Sequence, residues 1–445
     1  MVSFLKFFHC KPAVAFGVCL GLGLVATQAR GSSWTLSPSF EDSSLAHTVW
    51  RAAPAVVEAR RGLAISLGDE EQSEVLPNPT LGATWGTIPL GARNPSSLPF
   101  WDVPNYSVSL SQSIEIGKRG PRQAAMRAFH RASQLQVVDV YRRTLFEVLV
   151  LMVDQAAAVV SAREFDQLVA DSAASLALQQ ARADMGDTAG LDVDRLSVEH
   201  QRLISARDEH LIAQQEALSA CAAMGGGCPR FASADEAAPY LERGLVARPN
   251  VSDDWKQARP DLKSLQAQVE AAQALETLAR RRRIPDPTFT VGYTKDRFVV
   301  AGNQAQSLTL SVSLPIPLFE RGQVSVRTAA AQRQISLDQA ATLTSSGTAQ
   351  QVHLLSQLQL ARHRALHLSS QVLPRAEDVL ARLQAAAARG GVPLQEVLLA
   401  RRTLEDLRLE RVQVVAQVNH LWLEHRLLAS DLPQLDGATA AAKAP

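Results

Sequence analysis

A histidine pair is the clearest pattern in this sequence that could support metal chemistry. His363 and His367 are four residues apart, so a helix would carry both on one face, at a spacing that can hold zinc. No third ligand stands nearby in the sequence. We therefore favour two solvent-facing histidines on a long amphipathic helix, and we predict no metal site.

The sequence contains none of the short motifs that mark common enzymes. It lacks Gly-x-Ser-x-Gly, a Walker loop, His-Glu-x-x-His and a dinucleotide fingerprint that follows a strand. Gly225–Gly227 is not followed by Lys-Ser/Thr, so it is not a phosphate cradle. We predict that the protein is not an enzyme and uses no cofactor.

Residues 1–29 have the pattern of a secretory signal peptide. Lys6 and Lys11 precede an apolar run, Ala13–Ala26, and the small residue Ala29 ends a cleavage site. The alternative is an anchor that stays in the inner membrane, but the run is shorter than the ~20 residues that span a bilayer. We predict cleavage after Ala29 and no lipid attachment.

Two cysteines, Cys221 and Cys228, remain after that cleavage. They are seven residues apart around a glycine-rich loop, and in an oxidising compartment such a pair can close a short disulfide. A metal site is disfavoured because two thiols without a nearby histidine do not complete a tetrahedral shell.

Charge is balanced over the chain and concentrated in one place. The 45 basic residues nearly cancel the 44 acidic ones, which argues against a polycation that wraps nucleic acid. The exception is Arg280–Arg283, at the end of a predicted helix just before a predicted strand. The helix dipole favours cations there, and the run is placed to touch anionic lipid headgroups.

The chain consists of two similar halves. The matching pairs lie 202 to 208 residues apart and are Pro54 with Pro260, Pro77–Leu81 with Pro285–Phe289, Arg119-Gly120 with Arg321-Gly322, Gly186 with Gly390, and Asp192-Val193 with Glu396-Val397. Their constant order indicates a duplication. The predicted organisation is a signal peptide (1–29), a first repeat (30–224), an equatorial linker (225–251), a second repeat (252–432) and a flexible tail (433–445).

Each half has the same predicted order of elements. A helix (41–67 or 252–283) precedes a strand pair, a very long helix, a glycine-containing turn and a returning helix. The composition agrees, since 46% hydrophobic but only 5% aromatic residues is typical of long helices packed on helices. The predicted long helices are Pro121–Met185 and Gln323–Arg389, the second interrupted at Gly347 and Pro374; the returning helices are Leu191–Met224 and Leu394–Leu432.

The second returning helix carries an apolar seam with heptad spacing, which indicates a coiled coil. Its positions are Val397, Leu404 and Val418, with Arg411 as the exception, together with Ala400, Leu407, Val414 and Leu421. In the first half the seam keeps Leu196 and Leu203 and then weakens.

The strand pairs alternate apolar and small polar residues, as in Tyr106–Ile116 and Ser307–Leu318. A half-buried soluble sheet is one interpretation. A lipid-facing barrel is favoured, because strands of about ten residues span a bilayer when tilted and aromatic residues collect near one end. Four strands cannot close a barrel, whereas three copies of the chain would supply twelve.

This order of elements resembles the TolC-like outer membrane efflux factors, over residues 40–430. The most specific stretches are Ala258–Leu262, Ser313–Phe319 and Leu373–Glu377. Ile284–Thr288 is similar to the heavy-metal cation branch, the CzcC-like proteins. The implied fold class is mainly α with a membrane β-barrel portion: coiled-coil hairpins and four strands per protomer, assembled as a homotrimer with a twelve-stranded barrel and an α-helical tunnel.

The resemblance also implies a location and partners. The protein would lie in the outer membrane, in contact with its lipid, extend into the periplasm, and bind a periplasmic adaptor protein and an inner-membrane pump of the resistance-nodulation-division type, but no nucleic acid. It would be a passive conduit for heavy-metal cations. Drug efflux or protein secretion by the same fold, and a periplasmic coiled-coil protein without a pore, are the alternatives.

The two glycine-containing turns are predicted to form the tips of the tunnel, where the adaptor docks. The tip residues are Gly186, Gly190, Leu191, Gly390, Gly391, Val392 and Leu394. Just inside, Asp192 and Glu396 from three copies would form a constriction of six carboxylates. The alternative is that these acids only begin their helices, where the dipole favours them.

Overall fold

The computed structural model describes residues 42–88, 90–92, 96–97, 99–102, 104–186, 189–225, 227–249, 255–296, 305–389 and 391–433. The predicted signal peptide, nearly all of the predicted tail and Gly390 lie outside these ranges.

The two halves are each built from helices on either side of a strand pair. The helices are α1 (Asp42–Ala52), α2 (Pro54–Glu74), α3 (Arg119–Asp184), α4 (Gly190–Ala223), α5 (Ala234–Val246), α6 (Trp255–Ala258), α7 (Pro260–Arg281), α8 (Gln323–His367), α9 (Leu373–Ala388) and α10 (Leu394–Ala429). The strands are β1 (Thr80–Gly86), β2 (Asn105–Ser113), β3 (Thr288–Lys295) and β4 (Gln306–Ser313).

The first helix of each half is divided in two, so the predicted single helices over 41–67 and 252–283 are wrong. Pro54 begins α2 and Pro260 begins α7. Proline tolerates the first helical position but forces the preceding residue into an extended conformation, and Ala53 and Arg259 both adopt it.

The break before α7 explains one of the specific sequence stretches, Ala258–Leu262. The Arg259 guanidinium donates to both carboxylate oxygens of Asp261, at 3.0 and 2.6 Å, and Asp261 also accepts from the backbone N–H of Leu262. Burial raises the pKa of Asp261, but the hydrogen bond and charge of Arg259, with the charge of Arg142, hold it below its usual range. The stretch therefore places a buried ion pair at the start of α7.

The long helix of the first half, α3, is continuous for 66 residues, roughly 100 Å. Among the described helices it is the one long and apolar enough to cross a membrane, but 67% of its most apolar 18-residue stretch is buried inside the protein. Its apolar face therefore packs against other helices of the chain.

The corresponding helix of the second half is interrupted by a π-helical turn, Leu368–Val372, which ends two residues before Pro374. Proline has no N–H to donate to the preceding turn, and the Leu373 N–H bonds to the Leu368 carbonyl instead. The predicted interruption at Pro374 is confirmed. Gly347 does not interrupt α8; there a Cβ would lie 2.7 Å from the Trp255 ring.

The main core lies where α3 and α10 pack with α1 and α5. Helix α5 falls within the predicted linker (225–251), which is therefore partly helical, and it buries Tyr240 and Leu241. The seam of α10 buries Leu404, Val414 and Val418, as its spacing predicts. The exceptional Arg411 instead pairs with Glu242 of α5 at 2.5 Å.

The four strands form one antiparallel sheet in the order β1-β2-β3-β4. They are seven to nine residues long, slightly shorter than predicted. The register aligns apolar residues in rows across all four strands, and one row is Leu81, Leu110, Val291 and Leu310. This apolar face is exposed, with Leu81 and Leu310 each 72% accessible.

Candidate functional site

The first hairpin tip joins α3 to α4 through a left-handed glycine. Gly186 has φ +82°, a conformation that favours glycine, and its N–H bonds to the Ala183 carbonyl at 2.9 Å. Helix α4 then begins at Gly190, one residue before the predicted start, and Leu191 is exposed.

The second tip joins α9 to α10. The Gly391 N–H bonds to the Ala386 carbonyl at 3.0 Å, five residues back, as in a common helix-ending turn. Val392 is partly exposed and Pro393 is extended, so α10 begins at Leu394. Gly390 and the Leu394 side chain lie outside the part of the chain that the structure describes.

The two predicted constriction acids lie at equivalent positions. Asp192 is in the first turn of α4 and Glu396 in the first turn of α10. Asp192 lies 3.6 Å from the Arg195 guanidinium and is partly exposed, and Glu396 is exposed. Neither helix N-terminus has a side-chain cap. Because both acids lie in a first turn, their negative charge also interacts favourably with the helix dipole.

Behind the tips, four charged side chains join the two returning helices; we call them the ion cluster. It comprises Glu199 and Arg202 of α4 with Arg402 and Glu405 of α10. Arg402 donates to Glu199 at 3.1 and 2.5 Å, and Arg202 donates to Glu405 at 3.0 and 2.8 Å. Arg202 also donates to Glu199, so it bridges both carboxylates.

The carboxylates of the ion cluster are buried beneath the arginines. The Glu199 and Glu405 side chains are 6% and 3% exposed, whereas the guanidinium-bearing side chains are about half exposed. Burial raises the pKa of Glu199, but hydrogen bonds from Arg402 and Arg202 outweigh it and hold the pKa below its usual range. At Glu405 burial prevails over the single arginine partner, and the pKa is raised.

Sequence reasoning missed the ion cluster, although a signal was present. Glu199 and Arg402 are 203 residues apart, as are Arg202 and Glu405. This separation is one residue less than the 204 that separate Asp192 from Glu396 and Gly186 from Gly390, so each pair joins residues one position away from equivalence in the two repeats. A duplication that pairs its two copies in this way brings opposite charges together twice.

The other candidate residues are placed as follows. Cys221 and Cys228 are joined by a disulfide, with their Cα atoms 6.0 Å apart. His363 and His367 are exposed, and their parallel rings lie 6.3 Å apart. Over the residues that the structure describes, no group of three or more His, Cys, Asp or Glu side chains could hold a metal ion.

The stretch Ile284–Thr288, which resembles the metal branch, has a structural role. Asp286 accepts from the Ile116 N–H at 2.9 Å and from Lys118 Nζ at 2.6 Å. It therefore holds the turn between β2 and α3 against the start of β3. These contacts of Asp286 lie beside the start of α3, at the opposite end of that helix from the tips.

Comparison with known proteins agrees with this architecture. Residues 251–423 match the family described as outer membrane efflux protein. The chain is 26% identical over 353 residues to the cobalt-zinc-cadmium resistance protein CzcC of Cupriavidus metallidurans, covering 78% of this chain and 79% of CzcC. The resemblance to outer membrane efflux factors, including the CzcC-like proteins, is thereby confirmed.

Solved structures with the same fold include two bacterial membrane proteins. A membrane protein from Pseudomonas aeruginosa has a TM-score of 0.72 at 14% identity, over 87% of this chain and 92% of that one. The Campylobacter jejuni CmeC outer membrane channel has a TM-score of 0.72 at 12% identity, over 97% of both chains. The fold of this chain is therefore that of the outer membrane channels.

Proposed function

We propose that this chain, whose second half carries the outer membrane efflux domain, is the outer membrane component of a tripartite efflux system. It acts as a passive conduit from the periplasm to the exterior. The observation that carries the proposal is the exposed apolar face shared by all four strands, since water disfavours such a face and lipid requires it.

The open edges of the sheet support assembly as a trimer. Strands β1 and β4 each pair on one side among the described strands, and unpaired edges are not tolerated in lipid. Three copies of the sheet joined edge to edge close a barrel of twelve strands. The face opposite the apolar rows carries Ser, Thr and Gly, a neutral polar lining for an aqueous lumen.

The cargo we propose is heavy-metal cations. Support comes from the similarity to CzcC, whose name assigns it to cobalt, zinc and cadmium resistance. The constriction of Asp192 and Glu396 from three copies would attract cations in preference to anions. Drug or protein export remains the alternative cargo of the same conduit, and the export experiment below decides between them.

The tips are the proposed docking site for a periplasmic adaptor, which links the conduit to an inner-membrane pump. The short glycine turns allow helix-to-helix packing with the adaptor's own hairpins. The ion cluster lies about 14 Å behind the tips, at 1.5 Å per residue from the helix starts. It ties α4 to α10 and so holds the tips together until an adaptor spreads them.

Four measurements test the proposal. The protein should fractionate with the outer membrane, run as a trimer that heating dissociates, and conduct ions in planar bilayers. Deletion of the gene should lower tolerance to zinc, cobalt and cadmium but not to drugs. A soluble periplasmic monomer contradicts the conduit, and unchanged metal tolerance with lost drug tolerance contradicts the cargo.

A further inference from the structure

The helix-side rim of the sheet carries arginines that the protein itself does not neutralise. We define this rim as residues 75–79, 114–122, 281–287 and 314–322, which join the strands to the helices. The antiparallel register places all four segments at one end of the sheet, because Thr80 pairs with Ser111 and Thr288 pairs with Ser113 and Ser313.

Ion pairing within the rim uses only part of its positive charge. Lys118 pairs with Asp286 and Arg122 with Glu115. The remaining basic residues are Arg119, Arg281, Arg282, Arg283 and Arg321, against the single carboxylate of Glu320. None of these five has an acidic partner within the described residues.

The contacts of these arginines are to neutral groups or to solvent. Arg119 donates to the Glu74 carbonyl at 2.9 Å, and Arg321 donates to the Leu318 carbonyl. The Arg281 side chain lies over the turn at Gly117, where a Cβ would be 3.8 Å from its Cδ. These contacts hold the guanidinium groups at the rim without cancelling their charge.

Exposed apolar side chains occupy the same rim. Phe319 is 90% exposed, and the other exposed apolar residues of the rim are Val75, Leu76, Ile114, Ile116, Leu314, Ile316 and Leu318. Apolar groups that continue the lipid-facing sheet, interleaved with free cations, are typical of a membrane interface. The opposite end of the sheet differs, because there Trp85 stacks with Trp101 and Tyr106.

We propose that the helix-side rim binds the headgroups of anionic phospholipids in the leaflet that faces the periplasm. The inference rests on the proposed function, because it requires the sheet to lie in a bilayer. Anionic phospholipid satisfies both halves of the rim, since its phosphate pairs with the arginines and its acyl chains cover the apolar side chains. The arginines therefore fix the depth at which the barrel sits.

The test uses the full chain reconstituted in phosphatidylcholine vesicles that contain spin-labelled phosphatidylglycerol or spin-labelled phosphatidylcholine. The immobilised fraction of each label gives the relative association constant of the two lipids. The wild-type protein should favour phosphatidylglycerol. In the variant R281Q/R283Q/R321Q the association constant of phosphatidylglycerol relative to phosphatidylcholine should fall by about fivefold or more, because each arginine near a charged surface contributes roughly that factor.

Two further variants distinguish the loss of positive charge at the rim from a general effect of the substitutions on the protein. R281K/R283K/R321K should retain the preference, since lysine keeps the charge. R182Q/R375Q/R389Q removes three exposed arginines from α3, α9 and the second tip, and it should leave lipid selectivity unchanged. Equal association of both lipids with the wild-type protein overturns the proposal, as does an unchanged preference in R281Q/R283Q/R321Q.

The outcome also separates this proposal from the proposed function. Failure of the wild-type chain to incorporate into any vesicle overturns the conduit, whereas incorporation without lipid selectivity overturns only the lipid-binding rim. Inorganic phosphate at matched ionic strength should not displace phosphatidylglycerol. If it does, the rim takes a free anion and the assignment to lipid is wrong.

Discussion

Arg202 of the first repeat lies 2.8 Å from a carboxylate oxygen of Glu405 of the second repeat, and Arg402 reciprocates with Glu199. Two ion pairs, with the arginine on α4 in one and on α10 in the other, thus join the two returning helices. Each pair buries a carboxylate near the tips, so loss of one partner leaves an uncompensated charge in a desolvated place. This geometry makes the ion cluster sensitive to single substitutions.

The two carboxylates of the ion cluster should respond differently to neutralisation. Glu199→Gln should destabilise the protein by roughly 2–3 kcal/mol, because Glu199 has two arginine partners and a lowered pKa. Glu405→Gln should cost less, because burial already favours its protonated form. Chemical unfolding of both variants in detergent at neutral pH measures the difference, and equal losses would contradict the pKa assignment.

The pH dependence of the same variants follows from the directions of the pKa shifts. The lowered pKa of Glu199 gives stability that is present above its unfolded value near 4.5 and is lost as pH falls through the folded value. The raised pKa of Glu405 gives stability that is present below 4.5 and is lost as pH rises through the folded value. The stability of the wild-type protein relative to the Glu405→Gln variant should therefore increase as pH falls towards 4.5. Its stability relative to the Glu199→Gln variant should not increase over the same change.

Gly347 should tolerate no side chain, because the Trp255 ring and the Arg259 guanidinium occupy the space where a Cβ would be. Gly347→Val should lower the free energy of unfolding by about 2 kcal/mol or more, as over-packing in a core does. Gly68→Ala on α2 is the matched control: nothing lies within 4 Å of its Cβ position, and alanine in a helix should stabilise slightly. Equal behaviour of the two variants would show that the Trp255 contact does not matter.

The disulfide should stabilise the junction between α1 and α2. A Cβ at Gly225, inside the disulfide loop, would overlap the Ala52 carbonyl and lie 2.8 Å from Pro54, so the loop packs directly on that junction. Replacing Cys221 and Cys228 together with serine should cost about 2–3 kcal/mol through the freed unfolded chain. Thermal unfolding with and without reductant checks this; the reductant should affect only the wild-type protein.

The first tip should require glycine at position 186 for function rather than for folding. Gly186→Val imposes a left-handed conformation on a β-branched residue, yet nothing lies within 4 Å of its Cβ position. We expect the trimer and barrel to persist while metal export falls at least tenfold, measured by tolerance and by adaptor pull-down. Gly62→Ala on α2, where nothing lies within 4 Å of the Cβ position and which is outside the tips, should export normally.

Periodicity and duplication were sufficient to predict the long helices, the four strands and their order. They could not predict the breaks before α2 and α7. The amphipathic pattern continues across Pro54 and Pro260, although each proline ends one helix and begins the next. The repeat match of Arg119-Gly120 with Arg321-Gly322 does not extend to backbone conformation. The left-handed glycines are Gly117 and Gly322, with φ of +68° and +73°, and a shared dipeptide carries no record of φ.

The ion cluster escaped prediction for a different physical reason. A search for repeats compares equivalent positions, and at the 204-residue offset of this region Glu199 corresponds to Thr403 and Arg202 to Asp406. Glu199 and Arg402 are partners in space but are not aligned in the two repeats, so repeat matching does not bring them together. Gly347 was misjudged similarly, since its helix is held by Trp255, a contact that spacing along α8 does not contain.

The acidic constriction is tested by replacing Asp192 and Glu396 together with asparagine and glutamine. If three copies bring these carboxylates to the narrowest point of the tunnel, the double variant should lose cation preference in single-channel recordings, because the fixed negative charge is gone. If the acids only stabilise helix starts, each neutralisation should cost at most about 1 kcal/mol and selectivity should not change. Asp194→Asn, an exposed acid two residues further along α4, is the matched control. Unchanged selectivity in the double variant, with normal metal tolerance, would reject the carboxylate ring and leave the helix-start role.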